Sequence, residues 1–311
     1  MRNLLDLVQS VACRTPDAQA LVCGDGRLSY LELLQRSRAF GCALSSLGVA
    51  PGERIAIFLD KRIETVVSML GACAAGCVFV PVNPLLKPTQ VAHVLHDSGA
   101  RCLVTSALRA RSQAAEGLAP VSDLIVVDEP PPAFCAPGTL RLHRWPHHDI
   151  APGNASMPAS STPGIDTDLA ALLYTSGSTG LPKGVMLSHR NLLEGAWSVA
   201  QYLHHTPSER ILALLPLSFD AGLSQLTSAW SAGATAVLLN YLTAQDAVLA
   251  CERESITAIT GVPPLWMQLA GATWPDAFIN LAQCDGLVPG RPLLLFARGV
   301  GGFSAAALLC P

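Results

Sequence analysis

The chain has 311 residues, room for two modest domains or one large one. Twenty Lys and Arg against twenty-three Asp and Glu leave a formal charge of −3, and no basic tract appears, which disfavours nucleic acid as the main partner. Half of the residues are hydrophobic and 14% are charged, with a mean hydropathy of +0.38, which excludes wholesale disorder and calls for a test of membrane spanning.

The most apolar stretch, Thr65 to Val82, fails that test. Lys61, Arg62 and Glu64 precede it, Asn83 and Lys87 follow it, and Gly71, Gly76 and Pro81 interrupt it. Its second half is β-rich, so a buried helix running into a buried strand fits better than a span of about 20 residues. Asp6 breaks the N-terminal leucines before they reach the length of a signal peptide. The expectation is a cytoplasmic protein without a transmembrane segment. The ten cysteines form no Cys-x-x-Cys pair, and Cys42, Cys73 and Cys77 stand in Ala/Val-rich company, as buried thiols in a reducing compartment do.

In chain order, Ser29-Tyr30-Leu31-Glu32 forms a capping box that opens a helix through Leu33, Leu34, Phe40 and Leu44 to Gly48. A strand from Arg54 to Leu59 follows the Pro51-Gly52 turn. Helix 62–74, strand 77–82, helix 88–97 and strand 101–105 come next. Pro-rich segments at 128–133 and 151–164 read as loops. The second divides an α/β unit at 1–150 from another at 169–280, with 151–168 as linker. Beyond it the pattern predicts strand 169–174, loop 175–184, helix 189–203 behind the cap Ser188, strand 211–215, helix 221–231, strand 234–239, helix 244–254 and strand 256–260. Strands separated by helices predict stacked βαβ subdomains with mostly parallel sheets. His143, His147 and His148 fall in an expected exposed loop, and no Cys/His set elsewhere supports a metal site. His93 and His96 share one turn of a solvated or half-buried helix face, and His189 is assigned no chemistry. From about Leu281 neither period holds, and no element can be drawn cleanly.

The informative segment is Tyr174-Thr-Ser-Gly-Ser-Thr-Gly-Leu-Pro-Lys183-Gly184, which follows the apolar strand from Leu169. Gly177 and Gly180 let backbone approach a ligand closely. The amides and the hydroxyls of Thr175, Ser176, Ser178 and Thr179 make an anion cradle, with Lys183 as a mobile positive charge. A di- or triphosphate is the natural guest. The spacing is not that of a Walker A loop, because Leu181-Pro182 intervenes between Gly180 and the lysine.

This segment resembles the signature phosphate loop of the adenylate-forming superfamily, which includes acyl-CoA synthetases, luciferases and the adenylation domains of peptide synthetases. Further matches are Arg14-Thr-Pro-Asp17 with Leu28-Ser-Tyr-Leu-Glu-Leu33, Ala75-Gly-Cys-Val-Phe-Val-Pro-Val-Asn-Pro84, Leu215-Pro-Leu-Ser-Phe-Asp-Ala-Gly222 and Gly261-Val-Pro-Pro-Leu265. The resemblance covers about residues 1–280, and its overall look is nearest the acyl-CoA ligases associated with exosortase A systems. It implies a two-step ligase: a carboxylate attacks the α-phosphate of ATP, with Mg²⁺, and the acyl-adenylate then passes its acyl group to the thiol of CoA or of a carrier protein. It implies that Thr175, Ser176, Gly177, Ser178, Thr179, Gly180 and Lys183 hold the β- and γ-phosphates, Lys183 being the catalytic cation. It also implies that Phe219, Asp220, Gly222 and Gly261 border the acid pocket. Asp220 has two readings, as partner of a substrate ammonium in amino-acid-activating relatives or as N-cap of helix 221–231, and capping is the favoured one.

The Tyr-Gly-x-Thr-Glu and Thr-Gly-Asp motifs that the resemblance leads one to seek do not occur, and the tail is unpatterned. The expectation is an interruption or frame shift near codon 280, so that 281–311 are not native sequence and the chain alone forms little adenylate. Three functions follow: an AMP-forming acid–CoA ligase of fatty acid metabolism, an amino-acid-activating domain that loads a carrier protein, and a non-catalytic nucleotide-binding remnant.

Overall fold

The computed structural model describes residues 1–129, 140–146, 164–176, 181–275, 293–298 and 304–309. It opens with α1 (Leu5–Ala12), the hairpin of β1 (Gln19–Cys23) and β2 (Gly26–Ser29), and α2 (Tyr30–Ser46). Then come β3 (Arg54–Phe58), α3 (Ile63–Ala74), β4 (Val78–Pro81), α4 (Pro88–Ser98), β5 (Ala100–Thr105), α5 (Ala107–Ala114), β6 (Asp123–Val126) and β7 (Arg141–Arg144). The second half supplies β8 (Leu169–Ser176), β9 (Pro182–Ser188), α6 (His189–Tyr202), β10 (Arg210–Ala213), α7 (Asp220–Ala232) and β11 (Thr235–Leu238). It ends in α8 (Ala244–Arg253), β12 (Ala258–Gly261), α9 (Pro263–Ala270), β13 (Leu293–Arg298) and β14 (Ser304–Leu309).

Two seven-stranded sheets result, ordered β7-β6-β5-β3-β4-β8-β9 and β14-β13-β12-β10-β11-β1-β2. Their neighbouring strands run parallel except at the antiparallel pairs β8–β9, β1–β2 and β13–β14. Strand alternation makes five layers of this. Ile55 and Ile57 of β3 and Ile211 of β10 face a shared central core, where α1, α2, α3, α6 and α7 lie between the sheets. Ala56 and Phe58, their sequence neighbours, face the opposite way against Val91, Val94 and Leu95 of α4. Leu212 and Val22 likewise face Ala247, Ala250 and Cys251 of α8. Trp230 of α7 is fully buried, and its indole donates to the Ala20 carbonyl at 3.2 Å, fastening the helix layer to β1.

The sheets exchange strands across the chain. The early hairpin β1–β2 joins the later sheet beside β11, and the late hairpin β8–β9 closes the earlier sheet beside β4. Residues 147–163, most of the expected linker, lie outside the described residues.

The capping box at Ser29 and Glu32 is present in both directions, at 3.2 and 2.8 Å, and the helices and strands expected between residues 30 and 105 form as read. Three expectations need correction. Residues 175–184 are not one loop: β8 continues to Ser176 and β9 begins at Pro182, because the small residues reach into a hairpin whose strands pair from Leu169↔Ser188 to Ser176↔Pro182. His143 sits in β7 rather than an exposed loop, its Nε2 at 2.8 Å from an oxygen of the buried Asp123, which also binds Arg101 and Arg141. The apolar runs at 293–298 and 304–309 form β13 and β14, where no element was expected. His147 and His148 lie outside the described residues. Among the described residues no helix is long and apolar enough to cross a membrane.

Candidate functional site

Both parts of the expected site sit at the C-terminal edges of parallel strands, where connections leave a sheet and open a crevice. The first is the β8–β9 hairpin. Its register sets Thr175 opposite Lys183, and both side chains are exposed. Residues directly opposite in an antiparallel pair share a face, so the hydroxyl and the ammonium project together at the hairpin's end. The Ser176 backbone ends β8, while Gly177, Ser178, Thr179 and Gly180 lie outside the described residues. After β9, Ser188 caps α6 by accepting from the Asn191 amide at 3.2 Å. His189 is buried there, its Nδ1 accepting from the Leu4 amide at 3.3 Å. Burial pulls its pKa down, in keeping with a neutral packing histidine.

The second part is a cavity of ≈580 Å³ between α6, α7 and the end of β12. Asp220 and Gly261 line it, together with Tyr202, His205, Ser224 and Gln225. Phe219 and Gly222 stand beside the cavity rather than on its wall. Phe219 is the N-cap residue of α7 and about 39% exposed. Gly222 is a packing glycine: a Cβ there would lie 2.0 Å from the Pro216 carbonyl oxygen. The capping expectation for Asp220 is overturned. The cap position belongs to Phe219, without any side-chain bond, and Asp220 is the first helical residue, where its charge complements the positive end of the helix. Its exposed carboxylate therefore stands at the cavity with no capping duty.

Gln225 was not singled out in the sequence. It is 2% exposed, its Oε1 accepts from the Leu215 amide at 3.1 Å, and its Nε2 donates to Thr260 O and Oγ1 at 2.8 Å each. One side chain thus fixes both cavity-lining segments, and the available signal was a polar residue between Leu223 and Leu226 on a helix face that should be apolar. His205 was also missed. Burial lowers its pKa to about 4, and its Nε2 is buried without a hydrogen-bond partner. No local pattern announces it.

A third set of residues joins the two sheets. The Lys61 ammonium, after β3, donates to the Leu214 carbonyl, after β10, at 2.5 Å. The Lys61 amide and carbonyl bond the Asn240 side chain, after β11, at 3.1 and 2.8 Å. Burial pulls the Lys61 pKa down to about 8.

Residues 8–289 match the sequence family described as AMP-binding enzyme. The chain belongs to that family. Among curated members it is 30% identical over 287 residues to tyrocidine synthase 3 of Brevibacillus parabrevis, covering 91% of this chain and 4% of that protein. It is 35% identical over 240 residues to the L-proline–[L-prolyl-carrier protein] ligase of Pseudomonas fluorescens, covering 77% of this chain and 45% of that one. The chain thus spans less than half the length of these relatives. Among solved structures, the inhibitor-bound N-terminal domain of FACL13 from Mycobacterium tuberculosis superposes with a TM-score of 0.72 at 25% identity, over 90% of this chain and 72% of that one. The AMP-binding family and the mostly parallel α/β architecture expected from the sequence both hold.

Proposed function

We propose that this chain carries the phosphate hairpin and acid pocket of an AMP-forming acid–thiol ligase. In the first step a substrate carboxylate oxygen bonds to the α-phosphorus of MgATP while the bond from that phosphorus to the bridging oxygen breaks, and pyrophosphate leaves with the electron pair. Lys183 and Thr175, side by side on the hairpin, supply a cation and a hydroxyl to the phosphates, so their contribution is positional and electrostatic rather than covalent. In the second step a thiol takes the acyl group and AMP departs.

The acid class rests on Asp220. A carboxylate at a pocket wall, free of any capping bond, suits an acid that brings its own cation, and an α- or β-amino group is the ordinary one. On this reading the acid is an amino acid and the acceptor a carrier-protein thiol, the chemistry in the name of the proline ligase relative. A second reading keeps an unsubstituted acid and CoA. Its support is the likeness to a solved fatty acyl CoA synthetase of Mycobacterium tuberculosis, TM-score 0.72 at 24% identity, a likeness of fold.

Thermal protection of the full chain by MgATP with each of a panel of amino acids and aliphatic acids separates the two. Protection by an amino acid that is lost in Asp220→Ala supports the first reading. Protection by an aliphatic acid alone, unchanged in Asp220→Ala, selects the second. Absence of protection by MgATP with any acid overturns both and leaves a remnant without ligand.

A further inference from the structure

We propose that α4 positions the nucleotide hairpin: Asp97 and His93, one helical turn apart, grip one strand of its stem each and hold the register that puts Thr175 beside Lys183. The inference rests on reading that hairpin as the phosphate site.

The phenol of Tyr174 on β8 donates to Asp97 Oδ2 at 2.6 Å. His93 Nε2 lies 3.0 Å from the carbonyl oxygen of Pro182 on β9, and since a carbonyl only accepts, that nitrogen carries the proton. Residues at i and i+4 share a helix face, so both contacts come from one side of α4. Each gripped residue directly precedes one of the two site residues, Tyr174 before Thr175 and Pro182 before Lys183. Tyr174 packs with Val91, Val94 and Leu95 of α4. Alternation therefore turns Thr175 to the other face, together with its partner Lys183.

The stem needs such a grip because of its place in the sheet. Among the described residues β9 is an edge strand, paired only with β8. A slip of one residue in a two-strand pairing sends every side chain to the opposite face, which here would part Lys183 from Thr175. Gly184 pairs with Tyr174, and a Cβ at 184 would meet the phenol ring at 3.1 to 3.3 Å. The ring therefore lies against the backbone of β9 and reaches across it to Asp97. Burial, followed by the Asp97 carboxylate, pushes the Tyr174 phenol well above its ordinary pKa, so it remains a donor throughout the physiological range. His93 and Asp97 are positioning residues, since neither is placed to touch the nucleotide.

Calorimetric titration of the full chain with MgATP, together with amide hydrogen exchange through residues 182–188, tests this. Asp97→Ala, Tyr174→Phe and His93→Ala should each weaken MgATP binding about tenfold and speed exchange in β9, the loss expected for one well-placed hydrogen bond. Asp97→Asn, which keeps an acceptor oxygen, should recover most of it. Tyr30→Phe is the control: it deletes a comparable buried phenol bond, to the Ala234 carbonyl at 2.6 Å beside the other sheet, and should leave both readouts unchanged. Wild-type binding that the α4 variants do not weaken would overturn the proposal. If the wild type binds no MgATP, the phosphate-site reading itself fails, and unchanged β9 exchange in Asp97→Ala would then refute the grip as well.

Discussion

Gly222→Ala and Gly195→Ala make the same chemical change in two helices and should move stability in opposite directions. Replacing a helical glycine with alanine gains about 1 kcal/mol where nothing intervenes. At Gly195, in α6, a new Cβ meets nothing within 4 Å, so that gain should appear in full. At Gly222 the Cβ would lie 2.0 Å from Pro216 O, 2.7 Å from Pro216 C and 3.0 Å from Leu215 O. Ordinary contact begins at 3.4 Å, so the worst overlap is 3.4 − 2.0 = 1.4 Å. All three atoms are main chain, and no rotamer change relieves them. The turn from Leu215 to Phe219 must move, straining the Phe219 amide bond to Pro216 O at 3.1 Å and the Gln225 bond to the Leu215 amide at 3.1 Å. Two weakened bonds at about 1 kcal/mol each, with about 2 kcal/mol of overpacking and less the propensity gain, leave about 3 kcal/mol of destabilisation. For a chain of this size that lowers Tm by about 6 °C, while Gly195→Ala raises it by about 2 °C. Urea unfolding followed by tryptophan fluorescence measures both. Equal stability of Gly222→Ala and wild type would refute the geometric argument for the α7 entry turn, and with it the placement of Asp220 at the cavity.

Other perturbations have defined outcomes. Ser29→Ala removes one half of the capping box and should lower stability by about 1 kcal/mol, read from the urea midpoint. Asp123→Asn should lose about 3 kcal/mol, because it uncouples a buried carboxylate from Arg101, Arg141 and His143. Burial opposes ionisation of Asp123, yet the bonds from those three partners hold its pKa below the ordinary 3.8. Its contribution is therefore complete above about pH 4 and lost as pH falls through the lowered value, so the acid limb of the stability curve should flatten in Asp123→Asn. His205 acts in a different window. Its pKa falls from 6.5 to about 4, so the unfolded chain binds the extra proton between those values and stability must decline as pH drops from 6.5 to 4. His205→Gln should remove that part of the slope, and an unchanged pH profile would contradict the buried placement.

How much of this was legible in the sequence follows from distance along the chain. The Ser29 box, the strand–helix alternation from Arg54 to Thr105 and the cap at Ser188 are local devices, spanning a few residues each, and they form as read. Strand β9 was hidden because Pro182, Lys183 and Gly184, which open it, carry weak strand preference, while what holds it is tertiary: Tyr174 against Gly184 and the proposed grip of α4. The exchange of β1 and β2 into the later sheet pairs Leu21 with Ala236, a partnership no window of sequence contains. Four-residue strands such as β6 and β7 carry too few residues for a period, and no local pattern marks Asp123 as the buried anchor of that edge. In the proposed site, the phosphate segment and Asp220 were picked out by their motifs. The cap assignment for Asp220 failed because a one-residue shift of a helix start decides between N-cap and first turn, and propensity does not resolve one residue.

The position of Lys61 explains how the carboxyl edges of the two sheets are tied together. A parallel sheet delivers its catalytic loops to one edge, but two separate sheets share no edge unless something fixes their orientation. The central helices fix the distance between them. The orientation of the carboxyl edges is set by the Lys61 ammonium on Leu214 and the Asn240 side chain on the Lys61 backbone, both made by residues one to three positions past the ends of strands. Leu214 is also the residue before the segment that runs through Leu215 and Phe219 to Asp220. The same hydrogen bond that stitches the sheets therefore anchors the start of the loop that carries Asp220 to the cavity. Lys61→Met keeps the length and apolar stem but deletes the donor. It should lower Tm by a few degrees, in line with about 1.5–3 kcal/mol for a charged hydrogen bond, and raise amide exchange at 214–222 above that of the remaining chain. A fall in Tm without a local rise in exchange there would show that Lys61 stabilises the protein without positioning the pocket.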